Sequence, residues 1–184
     1  MSIDQEVRLE ALVGPKSRDV RYAALSAYVE HASLGERAAL ARLNPANLRP
    51  HQLSALSRAL LAAEMSPEKM RHETWLNWAL IAHGMALAGH DHNERLGTQL
   101  ERAGIAEGRV NRLLAARGEA FRQMLPPLLR LMASKGVKPN WYELGELIVK
   151  GSSTQSPDRE WAEDLRLRIA GAYFSALSKS TNTK

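Results

Sequence analysis

The chain has 184 residues, the length of one domain or two small halves. Ala and Leu supply 27 residues each against 7 Val and 5 Ile, which favours helices and argues against a sheet protein. The absence of cysteine excludes a disulfide scaffold, a thiol nucleophile and Cys-ligated zinc. The net charge of +5 is concentrated: residues 95–138 hold nine Lys/Arg against three Asp/Glu, whereas residues 1–94 hold ten against eleven and residues 139–184 six against six.

In chain order, the N-terminal segment MSIDQEVRLEALVG is charged throughout and has no apolar h-region, so no signal peptide is expected. Ser33 and Glu36 fit a capping box ahead of a short helix ending near Leu43, and Asn44-Pro45 breaks it. Pro50 fits a first-turn proline, with Leu53, Leu56, Leu60 and Leu61 at helical spacing through Glu64. Ser66-Pro67 reads as the cap and first residue of a helix running to about Ala88. After Trp75 this helix is apolar nearly all round, as a central buried helix is, and Trp75, Trp78 and Met85 read as core. The run Trp75–Gly89, interrupted by Asn77 and His83, is too short to span a bilayer.

Further on, Asn93 reads as the cap of a short helix ending at Ala103-Gly104, and another helix spans Ala106–Arg117 and stops at Gly118. Pro126-Pro127 predicts a break or kink, followed by a segment Leu128–Ser134 that ends at Gly136. Asn140 caps a helix to Lys150, Gly151–Ser156 is a polar loop, and Ser156-Pro157-Asp158 opens the last helix. The polar tail Ser178–Lys184 reads as disordered. The expectation is an all-α, compact helical bundle of about seven to nine helices. It divides into an N-terminal half of about 1–92, a basic half of about 93–178 and a disordered tail 179–184. The setting expected for it is the cytoplasm, with no membrane partner.

The basic stretch has the composition of a polyanion-binding face. Arg outnumbers Lys 18 to 7, and the guanidinium fork donates two hydrogen bonds to one phosphate. On a helical wheel Val110, Leu113 and Leu114 form the apolar face, and Arg109 and Arg112 lie together on the opposite flank. Arg117 falls inside the apolar arc at the helix end, where contact with the C-terminal carbonyls accounts for it. Arg95 and Arg102 are seven apart and share a face. Arg122 and Arg130 flank the diproline, and Lys135 and Lys138 flank Gly136. Only Phe121 interrupts the arginines, on the apolar side, so sequence-independent contact to the backbone fits better than base stacking.

Several segments together resemble the CasB small-subunit family of the type I-E CRISPR Cascade complex. They are Arg95-Leu96-Gly97-Thr98-Gln99-Leu100, Gly104-Ile105-Ala106-Glu107-Gly108-Arg109, Leu113-Leu114-Ala115-Ala116, Leu128-Leu129-Arg130, and Trp141 with Leu144. Upstream, Gly35-Glu36-Arg37-Ala38-Ala39-Leu40-Ala41-Arg42 is similar to the family's Gly…Arg-Ala…Leu-Arg segment. Arg168-Ile169-Ala170 with Tyr173-Phe174 is similar to its last helix. The likeness runs from about residue 35 to 177. It implies two helical halves, no catalytic residue, no cofactor, no metal and no small-molecule substrate. The implied partners are other Cascade subunits of the CasA, CasC and CasE types, further copies of the chain, guide RNA, and target DNA including the displaced strand. The expected nucleic-acid contacts are Arg42, Arg95, Arg102, Arg109, Arg112, Arg122, Arg130, Lys135, Lys138 and Lys150. Of these, Arg42, Arg109 and Arg130 match basic positions of the family. Gly108 stands where the family often has the first of two basic residues, and the run after the Trp-containing helix is reduced to Lys150.

Two other readings stay open on the sequence. His90-Asp91-His92 with His83 suggests a metal site of the HD-phosphohydrolase kind, against a plain polar turn. A helical adaptor that binds only protein is the other. Independently of these, Trp141 and Tyr142 are candidate partner contacts, since aromatics are enriched at interfaces.

Overall fold

Helix propensity and the apolar periodicity are realised almost everywhere. The computed structural model describes residues 15–45 and 47–182, with side chains from Asp19 onward. Among the described residues every regular element is helical. The elements are α1 (Pro15–His31), α2 (Leu34–Ala41), α3 (Pro50–Ala62), a 3₁₀ turn (Pro67–Lys69), α4 (His72–Ala88), α5 (Leu96–Arg102), α6 (Glu107–Ala115), α7 (Gly118–Ser134), α8 (Trp141–Gly151) and α9 (Ser156–Asn182). None of these helices is long and apolar enough to cross a membrane.

The apolar helix is the hub, as its sequence demands. Asn77 through Ala86 of α4 are all buried, and the helix packs against α1, α2, α3, α7 and α8. Trp78, Leu80, Ile81 and Met85 lie in the core and Trp75 packs against its edge. A second layer forms where α9 covers α5, α6 and α8. Thus α7 and α8 follow residue 93 in the chain but pack on α4 in space.

Close approach is bought with small residues at two crossings. A Cβ at Gly84 would fall inside the Trp141 indole and 2.8 Å from Leu129 Cδ1. A Cβ at Gly97 would strike the Ile169 carbonyl and lie 2.6 Å from Tyr173 N, so the α5–α9 contact depends on the bare backbone there. Trp141 is fully buried, and its Nε1–H donates to the Gly89 carbonyl at 2.8 Å. Truncating a core tryptophan of this kind costs about 3–5 kcal/mol.

A buried polar network fixes the loop between α4 and α5 to the start of α8. Gln99, with no exposed surface, donates from Nε2 to the Asp91 carbonyl at 2.8 Å and accepts from Asn140 N at 2.6 Å. Asn140 donates from Nδ2 to the Glu94 carbonyl at 2.9 Å, and its Oδ1 accepts from Tyr142 N at 3.0 Å, the helix cap that the sequence predicts. Glu143 closes the loop by accepting from Leu96 N at 2.6 Å.

Several local expectations are corrected. The segment 15–31, to which the sequence reading assigns no element, is helix α1, and it buries Tyr22, Leu25, Ser26 and Val29. Ser66-Pro67 opens only the 3₁₀ turn, since the Ser66 side chain makes no cap bond, and α4 begins at His72. Asn93 does not cap α5: its backbone and side-chain N–H groups both bond Asp91 Oδ1, and Glu143 from α8 satisfies the first amide instead. The helix expected over Ala106–Arg117 closes at Ala115, and Gly118 (φ 54°) begins α7 rather than only ending α6. No break occurs at Pro126-Pro127, both of which lie inside α7. The two lost donors are those that would reach the carbonyls of Arg122 and Gln123. Gln123 and Pro127 are exposed and Arg122 and Pro126 half-buried, whereas Leu125, Leu128, Leu129 and Met132 bury the other face. Of the tail expected to be disordered, 179–182 continue α9 to Asn182, with the Thr181 and Ser180 hydroxyls bonded to the Leu177 carbonyl, and 183–184 lie outside the described residues.

Two substitutions test this packing. Glu64 (φ 56°) follows the last turn of α3, where Met65 N bonds the Leu60 carbonyl, a left-handed position that favours glycine. Glu64→Gly is expected to raise stability by about 1 kcal/mol, read as a higher urea midpoint. Gly97→Ala is expected to lower it by about 1–3 kcal/mol through overpacking of α5 on α9.

Candidate nucleic-acid interface

The ten basic residues separate by their partners. Arg42, Arg109, Arg112, Arg130, Lys135 and Lys138 are all exposed, and among the described residues none has a carboxylate within 4.0 Å. Arg109 and Arg112 sit on α6, whose opposite face buries Val110 and Leu113, so the wheel places both as the structure does. Arg112 Nε donates to the Gly108 carbonyl at 3.2 Å, which lays its stem along the helix. Arg42 ends α2, Arg130 lies in the last turns of α7, Lys135 caps α7, and Lys138 follows in the turn.

His83 is buried against the end of α2. His83 is 2% exposed, and its Nδ1 lies 3.3 Å from the Leu40 carbonyl. Burial pushes the imidazole below its ordinary pKa, the Leu40 carbonyl opposes this, and the Arg130 charge adds to the depression.

The other four cations hold the fold. Arg95 pairs with Glu143 at 2.7 Å and Arg102 with Glu94 at 2.5 Å; both arginines are about half exposed (53% and 45%), but Glu143 is only 13% exposed. The exposed Arg102 pair is worth about 0–1 kcal/mol, so a phosphate can compete for that arginine. Arg122 is more committed. Its side chain is 22% exposed, and it reaches Asn77 Oδ1 at 3.2 Å, Glu119 at 3.3 Å and Glu73 at 3.7 Å. Lys150 is turned inward, 14% exposed, 3.4 Å from Glu146 and 3.8 Å above the Trp161 ring. It therefore presents little charge at the surface.

Trp141 is corrected as a partner contact, because a side chain with no exposed surface offers none. Tyr142 is half-buried and edges onto His90, with ring centroids 4.9 Å apart. The histidine turn is internally engaged: His90 Nδ1 accepts from Trp141 N at 3.2 Å, and the His90 and His92 rings stack at 5.6 Å. Among the described residues no group of three or more His, Cys, Asp or Glu side chains could hold a metal ion.

Two positions, Arg37 and Arg166, add to the sequence reading. Arg37 on α2 is exposed and has no carboxylate partner among the described residues; a signal for it was its place beside the capping glutamate. Arg166, 4% exposed, donates to the Ala116 carbonyl at 3.2 Å and to Glu163 at 3.3 Å, so it ties α9 to the α6–α7 corner. Arg117 joins that corner, bonding the Leu114 and Ala116 carbonyls and Glu163, as its place at the helix end suggests. Gly108 stands in open space, with no heavy atom within 4 Å of a Cβ built there.

The histidines generate a pH prediction. His83 and His90 are both held below the ordinary value of 6.5, chiefly by burial. The unfolded chain therefore takes up protons at higher pH than the folded one, and stability falls as pH drops below about 6.5. Unfolding free energies from urea titrations between pH 7.5 and 5 are expected to decline, by at most about 1.4 kcal/mol per pH unit for each histidine. His83→Gln, which keeps a donor for the Leu40 carbonyl, is expected to flatten the slope.

Compared with known proteins, residues 36–174 match the family model described as CRISPR-associated protein Cse2. No curated protein and no solved structure matches the chain.

Proposed function

The chain belongs to the Cse2 family, the CasB-type small subunits of the type I-E CRISPR Cascade complex, and on that footing we propose how it works there. It grips the backbones of the guide RNA–target DNA duplex and of the displaced strand without reading bases, and it catalyses no reaction. Its neighbours are the CasA, CasC and CasE types of subunit and further copies of itself, in the cytoplasm. One observation carries the reading: six exposed cations, Arg42, Arg109, Arg112, Arg130, Lys135 and Lys138, lack an internal counter-charge among the described residues.

The energetics need no base contact. Replacing a DNA duplex by an RNA–DNA heteroduplex is nearly balanced, so a few backbone contacts tip it. Guanidinium groups that release counterions from the displaced strand slow its return. Guide pairing supplies the sequence information, and base-reading side chains are superfluous.

The test is co-expression with the other Cascade subunits and a guide RNA. Stable incorporation and salt-sensitive target binding are expected; a chain left out of the purified complex overturns the reading. Arg109→Ala with Arg112→Ala is expected to weaken target retention while the circular dichroism spectrum is unchanged. The double substitution should also reduce the salt slope by about 1.4 for a single strand or about 1.8 for a duplex. Gly108→Arg is expected to do the opposite, adding about 0.7–0.9 to the slope, since the site is open.

A further inference from the structure

A cavity of about 230 Å³ opens between the turn after α2, α4 and the first half of α7. That is below the range of about 300–1,000 Å³ for pockets that hold whole small ligands, and it suits a single side chain instead. Its open wall is apolar. Pro45 from the turn, Leu76 from α4 and Pro126 from α7 are each half-buried, above the buried Leu80.

The charged groups around it are already matched. Among its described lining residues the one cation is Arg122, whose guanidinium is taken by Asn77 Oδ1, Glu119 and Glu73. Glu119 in turn accepts from Arg122 and from Gln123 Nε2 at 3.2 Å. A phosphate therefore meets no open positive charge here.

The Gln123 carbonyl is different. The residues three and four further on are Pro126 and Pro127, so neither the 3₁₀ nor the α-helical partner has an N–H to give. In a helix that carbonyl points along the axis, at the gap between these two prolines, and Gln123 and Pro126 both line the cavity. A small apolar wall thus stands beside a hydrogen-bond acceptor that has no helical donor.

We propose that this cavity receives one tryptophan side chain of a neighbouring protein subunit, with the ring between Pro45 and Pro126 and the indole N–H on the Gln123 carbonyl. Tryptophan combines a large apolar ring with one donor and no acceptor, and it is enriched where proteins meet. This goes beyond the backbone-gripping reading, because the surface takes protein rather than nucleic acid.

The probes are indole and N-methylindole, which lacks the N–H, titrated onto the isotope-labelled full chain. Amide shifts at Leu76, Gln123 and Met124 are expected to saturate with indole, and N-methylindole is expected to bind about fivefold more weakly, the size of one net hydrogen bond. Pro127→Ala leaves every lining residue in place and gives the carbonyl its helical donor back. It is expected to erase the difference between the two probes without lowering the urea midpoint. In the co-expressed assembly, p-benzoylphenylalanine in place of Gln123 is expected to cross-link to a subunit segment that contains tryptophan. Equal binding of the two probes by the wild-type chain, shifts that lie away from the cavity, a difference that survives Pro127→Ala, a cross-link to nucleic acid, or none to a tryptophan-bearing segment would each overturn the docking site and leave the backbone reading in place. A chain left out of the assembly overturns that reading, while the indole titration decides the cavity on its own.

Discussion

One buried amide organises the middle of this protein. Gln99 has no exposed surface, yet both ends of its side chain are used, one on the Asp91 carbonyl and one on Asn140 N. An unpaired buried amide costs about 1–3 kcal/mol, so either bond alone would leave the site unfavourable. Satisfied at both ends, Gln99 sets the register of α5 against α8. With Glu143 on Leu96 N and Asn140 on the Glu94 carbonyl, it holds the turn from His90 to Arg95, which Asp91 braces from within by accepting from Asn93 N. The position of α5 then fixes the α9 crossing at Gly97, and α9 in turn receives Arg117 through Glu163.

The charge is divided by the same packing. Cations that sit where helices meet are spent on joining them: Arg95 to Glu143 between α5 and α8, Arg122 across α4 and α7, and Arg166 between α9 and the Ala116 carbonyl. Cations on faces that no helix covers keep their charge for solvent or a ligand. Arg109 and Arg112 qualify because α6 is narrow and has only one buried face. Arg130 qualifies because the buried side of α7 is occupied by Leu125, Leu128, Leu129 and Met132. Net charge along the chain thus overstates the available charge at Arg122 and Lys150 and misses Arg37.

Periodicity made the helical class, the α4 core and the Arg109–Arg112 flank legible from sequence. The Asn140 cap was equally plain, because the amide, the helix and the bond are within two residues of one another. The α1 helix was written in the spacing of Tyr22, Leu25, Ser26 and Val29, although its exposed Val20 and alanines blur the apolar face. What local rules could not supply was long-range. Asn93 has the chemistry of a cap, but Asp91 is nearer, and the carboxylate of Glu143 arrives from another helix. The diproline reads as a stop, yet the buried leucines on either side keep α7 in one piece. Trp141 reads as a candidate partner contact until Gly84 is seen to make room for it in the core. The burial of Lys150 depends on Trp161 and Glu146, which only the packing of α8 on α9 brings into reach.

The diproline has a mechanical consequence. Pro126 and Pro127 carry no amide hydrogen, so the turn that joins the two ends of α7 lacks two of its axial bonds. Along its axis the helix is therefore softest at that turn, and its continuity rests on side-chain burial instead. Arg122 ties the first end to Asn77, and beyond the prolines Leu128, Leu129 and Met132 are buried, with Leu129 against Gly84 of α4. Loosening either set of side-chain contacts would leave two short rods in place of one.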